Sequence, residues 1–276
     1  MGLSPNPGSP MRLRRPIGAA LATAGKSLMR VLILIMAVCF AGQSFAAGAI
    51  VKDGATLQLG DVTYRLDGID APELDQICID EHADPWACGA EARDQLSKLI
   101  GGREVRCEDL GLGPYKKRHI GICTVEGETD SLNALAVRQG FALNFEPYAR
   151  GRFKDDDEAG AKDNRRGLWK GCFVVPQEFR RRKKDGALLG DSCRADKDRE
   201  IRAALFPDDP IMPPGCSIKG KLAVRARLTG KVGVYHLQGC RSYPALTKPD
   251  RWFCSEEDAQ AGGFRKAYNC GTSVRK

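Results

Sequence analysis

The sequence predicts an α+β fold: a small five-stranded β-barrel with about three helices around it, followed by a small cysteine-rich C-terminal domain. Three observations predict it. Short runs of alternating apolar and polar residues are separated by Gly and Asp turns, stretches of helical period stand between and after them, and Cys216, Cys240, Cys254 and Cys270 crowd the end of the chain. A length of 276 residues, with 42% hydrophobic and 28% charged residues, allows two modest domains and excludes a disordered tail or a multi-span membrane protein.

The elements follow in order. Residues 48–52 are a candidate first strand, and residues 56–59 and 62–66 alternate around Gly60-Asp61 as strand, turn and strand. Residues 89–100 place Ala92, Leu96, Leu99 and Ile100 on one helical face, and Gly101-Gly102 stops the helix. Residues 103–108 and 119–125 are strands joined by a Gly-rich loop. Residues 131–139 form a helix with Asp130 as its cap and Gly140 as its terminator. A charged helix over 155–166 ends at Gly167. The basic run 180–184 is a solvated helix end in preference to a binding patch. Residues 186–215 are polar and finish in a Pro-rich stretch, as a linker does. The expected organisation is a leader over 1–46, a barrel domain over 47–184, a linker over 185–215 and a cysteine-rich module over 216–276.

Arg12, Arg14, Arg15, Lys26 and Arg30 precede an apolar run over 31–41, about the length of a signal-peptide core and short for a membrane span. Ser44 and Ala46 put small residues where a signal peptidase reads. Cleavage after Ala46 is expected, giving a secreted or periplasmic protein with no stable membrane association; an uncleaved anchor is the alternative. A lipid on Cys39 is disfavoured by the bulk of Val38. Loss of the five leader cations brings the net charge from +8 to near +3, so bulk charge does not establish a polyanion partner. Of eleven cysteines, ten remain without Cys39. An even count in an exported chain, with no Cys-x-x-Cys pair, points to disulfides.

Asp53-Gly54-Ala55-Thr56 opens the first hairpin, Arg65-Leu66-Asp67-Gly68-Ile69-Asp70-Ala71-Pro72-Glu73 leaves its second strand, and Arg118 begins a later one. Val137-Arg138-Gln139-Gly140 and Arg166-Gly167-Leu168-Trp169 follow. In this order, from about residue 50 to 181, these phrases resemble the staphylococcal nuclease family (thermonucleases). The resemblance implies a barrel of the oligonucleotide-binding type that hydrolyses phosphodiester bonds in single-stranded DNA or RNA. Arg65 and Arg118 match the two arginines that hold the scissile phosphate, where a planar fork of donors suits phosphate oxygens. Glu73 matches the general base that activates water. Asp70 matches a calcium-binding aspartate, and Ala71 a position that ligates through its backbone carbonyl, so a methyl there removes no ligand. Calcium is the implied cofactor, neutralising and positioning the phosphate.

The family's second aspartate of Asp-Gly-Asp-Thr is a calcium ligand, and here it is Ala55. Loss of a few kcal/mol at that ligand weakens metal binding roughly 10²–10³-fold. Asp53 is a further candidate ligand, and Asp67 is another nearby carboxylate. His119, beside Arg118, has no role in the family and is read as structural. The resemblance pairs Cys107 with Cys123 across two antiparallel strands; Cys78 with Cys88, and Cys172 with Cys193, are further candidate bridges. The tail resembles a small module appended to bacterial nucleases, akin in pattern to the zinc-binding domain of a DNA methylphosphotriester repair protein. His236, Cys240, Cys254 and Cys270 then supply zinc ligands; two disulfides among the four cysteines are the alternative, favoured by export. Tyr235, Tyr243, Trp252 and Phe264 are candidates to stack single-stranded bases. The expected function is that of an exported, monomeric, calcium-dependent nuclease. The alternatives are a catalytically silent nucleic-acid or anion-binding module on the same fold, and a disulfide-stapled scaffold.

Overall fold

Alternating hydrophobicity and turn glycines build the first three strands as expected. Ile50–Asp53 (β1), Thr56–Leu59 (β2) and Val62–Leu66 (β3) form an antiparallel meander. Leu57 and Leu66 point into the core at 0% and 1% exposure. The structure, a computed structural model, describes residues 48–114, 117–151, 153, 155–223 and 231–270, and Gly2; the expected leader otherwise lies outside the described residues. Ile69–Asp70 (β4) is a short strand after the meander. Cys88–Ile100 (α1) buries Ala92, Leu96 and Ile100 and ends at Gly101 in the left-handed conformation, φ +58°.

Val105–Leu112 (β5) and His119–Val125 (β6) complete a sheet of order β1-β2-β3-β6-β5, in which β3 and β6 run parallel. Cys107 faces Cys123 in this ladder, and the two are bridged. The expected barrel is thus an open five-stranded sheet: among the described residues no ladder joins β1 to β5. The far end of β5 is exposed, with Leu110 at 44% and Leu112 at 58%, and among the described residues its outer edge finds no partner strand.

Leu132–Arg138 (α2) is capped by Ser131, whose Oγ accepts the Ala134 N–H at 3.1 Å. Asp130, the expected cap, instead accepts from Arg138 Nη1 at 2.9 Å. Leu143–Asn144 (β7) pairs with β4, and Asp155–Asp163 (α3) stops short of the expected end before a 3₁₀ turn at Gly167–Lys170. Leu57, Leu66, Ile69, Leu96, Val125, Leu132 and Val137 form the centre of the main core.

The stretch 185–215, a linker by composition, carries ordered structure. Leu188–Leu189 pairs with Phe173–Val174, and Cys193 is bridged to Cys172. Pro176–Arg180 (α4) and Asp198–Leu205 (α5) bury Phe179, Ile201 and Leu205 in one cluster with Phe206. Beyond it, Ile218–Leu222 (β8), Gly233–His236 (β9), Arg251–Phe253 (β10), Glu256–Ala261 (α6) and Phe264–Lys266 (β11) make a module with a four-stranded sheet of order β10-β8-β9-β11. Ile218, Tyr235, Phe253, Ala259 and Phe264 are its core. No described helix is long and apolar enough to cross a membrane.

Candidate functional site

The site begins where β3 ends. Arg65 lies in register between Thr56 of β2 and Ile120 of β6, and its side chain is 28% exposed. The chain then turns at Gly68, φ +74°, where a Cβ would stand 2.8 Å from Ala149 Cα, and enters β4. Pairing of Asp70 with Leu143 of β7 fixes Asp70 at 2% exposure. The following loop carries Glu73 onto the start of α1. A Cβ on Gly89 would fall 1.7 Å from the Glu73 carbonyl oxygen, so this approach needs a glycine. The bridge between Cys78 and Cys88 ties the loop to the same helix end, and Gln76 Nε2 donates to the Val174 carbonyl at 2.8 Å.

These elements bring Asp53, Arg65, Ala71, Glu73 and Arg118 to the wall of one cavity of about 220 Å³. Asp70 lies just beneath that wall. Its Oδ1 takes Arg180 Nη2 at 2.7 Å and Arg65 Nη2 at 3.5 Å, while its Oδ2 is buried with no hydrogen-bond partner. Glu73 is clamped from two sides: Arg180 Nη1 meets Oε1 at 2.9 Å and Arg251 Nη2 lies 3.6 Å from Oε2. Burial pushes the Glu73 carboxyl up, but the guanidiniums of Arg180 and Arg251 outweigh it and hold the carboxyl below the usual range.

Sequence reasoning missed half of this network. Arg180 opens the basic run read as a solvated helix end, yet it is 12% exposed and reaches both site carboxylates. Arg182, in the same run, lies 5.2 Å over the Phe206 ring. The fixed ends of α4 and the packing of Phe179 turn this part of the run inward. Arg251 of the C-terminal module is fully buried and makes a two-pronged pair with Asp75, Nε to Oδ2 at 3.0 Å and Nη2 to Oδ1 at 2.5 Å. Asp258, also of the module, accepts from Arg118 Nη1 at 2.9 Å, and Glu257 beside it pairs with Lys117 at 3.1 Å. Trp252, Phe253 and Cys254 line the same cavity as Arg65. No local signal marks Arg180, Arg251 or Asp258, because each meets its charged partner across more than a hundred residues of chain.

The residues present do not fit a calcium cage. Calcium takes six to eight oxygens. Ala55 offers none: it is 1% exposed and packed in the main core with Ala71. Asp53 Oδ1 is spent on the Ala55 N–H at 2.7 Å, and Asp70 Oδ1 on arginine. Among the described residues no group of three or more His, Cys, Asp or Glu side chains is arranged to hold a metal ion. The zinc set in the tail is likewise not assembled. Cys216 is bridged to Cys254 and Cys240 to Cys270, while His236 Nδ1 lies 2.7 Å from Ser242 Oγ.

Two smaller expectations also resolve. His119 Nδ1 pairs with Asp109 Oδ2 at 2.6 Å and its ring meets Tyr64 edge-on, which is a strand-surface role. Of the four tail aromatics, Tyr235 and Phe264 are core residues at 1% and 2% exposure and cannot stack on bases. Trp252 donates its Nε1–H to the Pro210 carbonyl at 2.9 Å, and Lys219 Nζ lies 4.2 Å over the Tyr243 ring.

Arg65, Arg118 and Glu73 thus share one cavity beside an open five-stranded sheet. Residues 63–171 match the model for staphylococcal nuclease homologues, so this part of the chain is similar to that family, a likeness that suggests a nuclease-type or nucleic-acid-binding function. The chain is also similar to the succinoglycan biosynthesis protein ExoI of Rhizobium meliloti (strain 1021), 28% identical over 157 residues, which are 56% of this chain and 76% of the relative. The five disulfides are consistent with an extracellular or periplasmic protein.

Proposed function

We propose that this protein is an exported phosphodiesterase of the nuclease type, acting on single-stranded DNA or RNA. The observation that carries the reading is that Arg118, from a later segment of the chain, lines one cavity with Arg65 and Glu73. Arg65 is in loose contact with Asp70 at 3.5 Å, so its fork is available to phosphate oxygens. Arg118 grips a second oxygen and stabilises the charge that builds as water adds to phosphorus. Glu73 takes the proton of that water; the new P–O bond forms as the ester P–O bond breaks, and the departing oxygen is protonated from solvent. Arg180 fixes the position of Glu73 but also weakens it as a base, so turnover is slow. No step is assigned to calcium, because the oxygens for it are not assembled.

A second reading, a silent nucleic-acid-binding module, is favoured by the double clamp on Glu73 together with the apolar Ala55. Digestion of single-stranded DNA and RNA by the purified mature chain, with calcium or with chelator, separates the two. Cleavage lost in Glu73→Gln supports the hydrolase. Strand binding without cleavage under either condition supports the silent module.

A further inference from the structure

We propose that the C-terminal module is part of the phosphate site, and that a phosphodiester strand lies in the seam between module and barrel by taking the place of Asp258 on Arg118. The proposal rests on the reading of Arg65 and Arg118 as a phosphate clamp and adds the residue that competes with the ligand.

Two cavities meet in this seam. One is the cavity of Arg65 and Glu73; the other, of about 420 Å³, is lined by Lys52, Arg93 and Lys117 with Thr56 and Thr63. Arg118 and Asp258 line both, so their ion pair is the partition between them. Thr56, at 2% exposure, keeps a buried Oγ1 without a partner beside the second cavity. A strand crossing from one cavity to the other therefore meets Arg118 at the midpoint. A phosphodiester presents to that guanidinium what Asp258 presents now, oxygens carrying one negative charge.

Asp258 is built to give way. It faces Arg118 from just before β6, Asp53 from β1, Glu73 from the loop beyond β4 and Ser255 from its own segment, while Lys117 beside Arg118 is held by Glu257. Burial, then the charge of Asp53 and that of Glu73, push its carboxyl up to about 6, against Arg118 and the Ser255 hydroxyl. An arriving phosphate adds a further anion and takes Arg118 away, so the bound state holds the proton still more firmly. Protonation does not undock the module. A carboxyl raised in the packed state favours packing when protonated, and the buried pair of Arg251 with Asp75 remains. The exchange happens in place. Binding then takes up a proton, and affinity rises as the pH falls, by at most about ten-fold per unit, levelling off once free Asp258 is itself protonated.

Calorimetric titration tests this with a phosphorothioate octathymidylate lacking terminal phosphates, at pH 7 in two buffers of different ionisation enthalpy. The wild-type chain is expected to take up close to one proton per strand. Asp258→Asn is expected to take up none and to bind about ten-fold tighter. Equal affinity and equal proton uptake in the two proteins overturn the proposal while leaving the clamp intact. Absence of binding to either protein overturns the clamp and the proposal together. Should Asp258→Asn fail to fold, Ser255→Ala removes a hydrogen bond that favours ionised Asp258, and the rise in affinity is expected at higher pH; an unmoved profile overturns the proposal.

Discussion

Arg65, Arg118 and Arg180 line the cavity and Arg251 backs it behind Glu73, and the four divide by where they come from and what they hold. Arg65 and Arg118 belong to the sheet; Arg180 and Arg251 come from the segments added after it. Exposure alone does not separate them, since Arg118 is 11% exposed and Arg180 12%. Their partners do. Arg180 and Arg251 hold Asp70 and Asp75, which are buried, and Glu73 at the cavity wall, whose charge they keep in place, whereas Arg118 holds a carboxylate that burial and its neighbours have already made a poor anion. A guanidinium can thus serve as a permanent strut or as an exchangeable clamp. The difference lies in how firmly its partner keeps its charge.

Removing a strut should do the most damage. Arg251→Met leaves Asp75, 2% exposed, as an unpaired buried charge and is expected to lower stability by about 3–5 kcal/mol in urea unfolding. Arg65→Met, by contrast, is expected to cost at most about 1 kcal/mol. Next in size, Ala55→Asp places a carboxylate among Leu57, Leu66 and Ala71 and is expected to cost about 3 kcal/mol, with no recovery on adding calcium. Recovery with calcium-dependent cleavage would show that the backbone can assemble a cage after all. Arg180→Gln relieves Glu73 of its nearest cation, so the acid limb of the pH–rate profile moves to higher pH, and stability falls by about 2 kcal/mol.

The smallest effect is in the pH dependence of stability itself. Glu73 has a depressed carboxyl, so its contribution is present above the unfolded value of about 4.5 and is lost as the pH falls through the lower folded value. Asp258 acts the other way: its contribution is present at acid pH and is lost as the pH rises through about 6. A stability maximum between those limits is expected, and Asp258→Asn is expected to abolish the decline on the alkaline side. Urea midpoints across the pH range check both.

How much was legible follows the same division. The sheet and its site residues were read from local pattern: alternation set β2 and β3, and Arg65, Asp70, Glu73 and Arg118 were singled out from short phrases. The struts were not, because a lone Arg180 in a basic run or Arg251 before a tryptophan carries no mark of the acid it will meet. The polar composition of 185–215 hid the apolar face of Ile201 and Leu205, whose spacing of four is visible only once a helix is assumed. Asp258 is one of three acids in the first turn of α6, and nothing local separates it from Glu256 and Glu257.

The most direct test of the phosphate clamp is the salt dependence of single-strand binding. Affinity for a labelled octathymidylate, followed by anisotropy over a range of salt, is expected to lose about 0.7 from the slope of log K against log salt in each of Arg65→Gln and Arg118→Gln. Slopes and affinities unchanged by both substitutions would contradict the account, since neither arginine would then be holding phosphate.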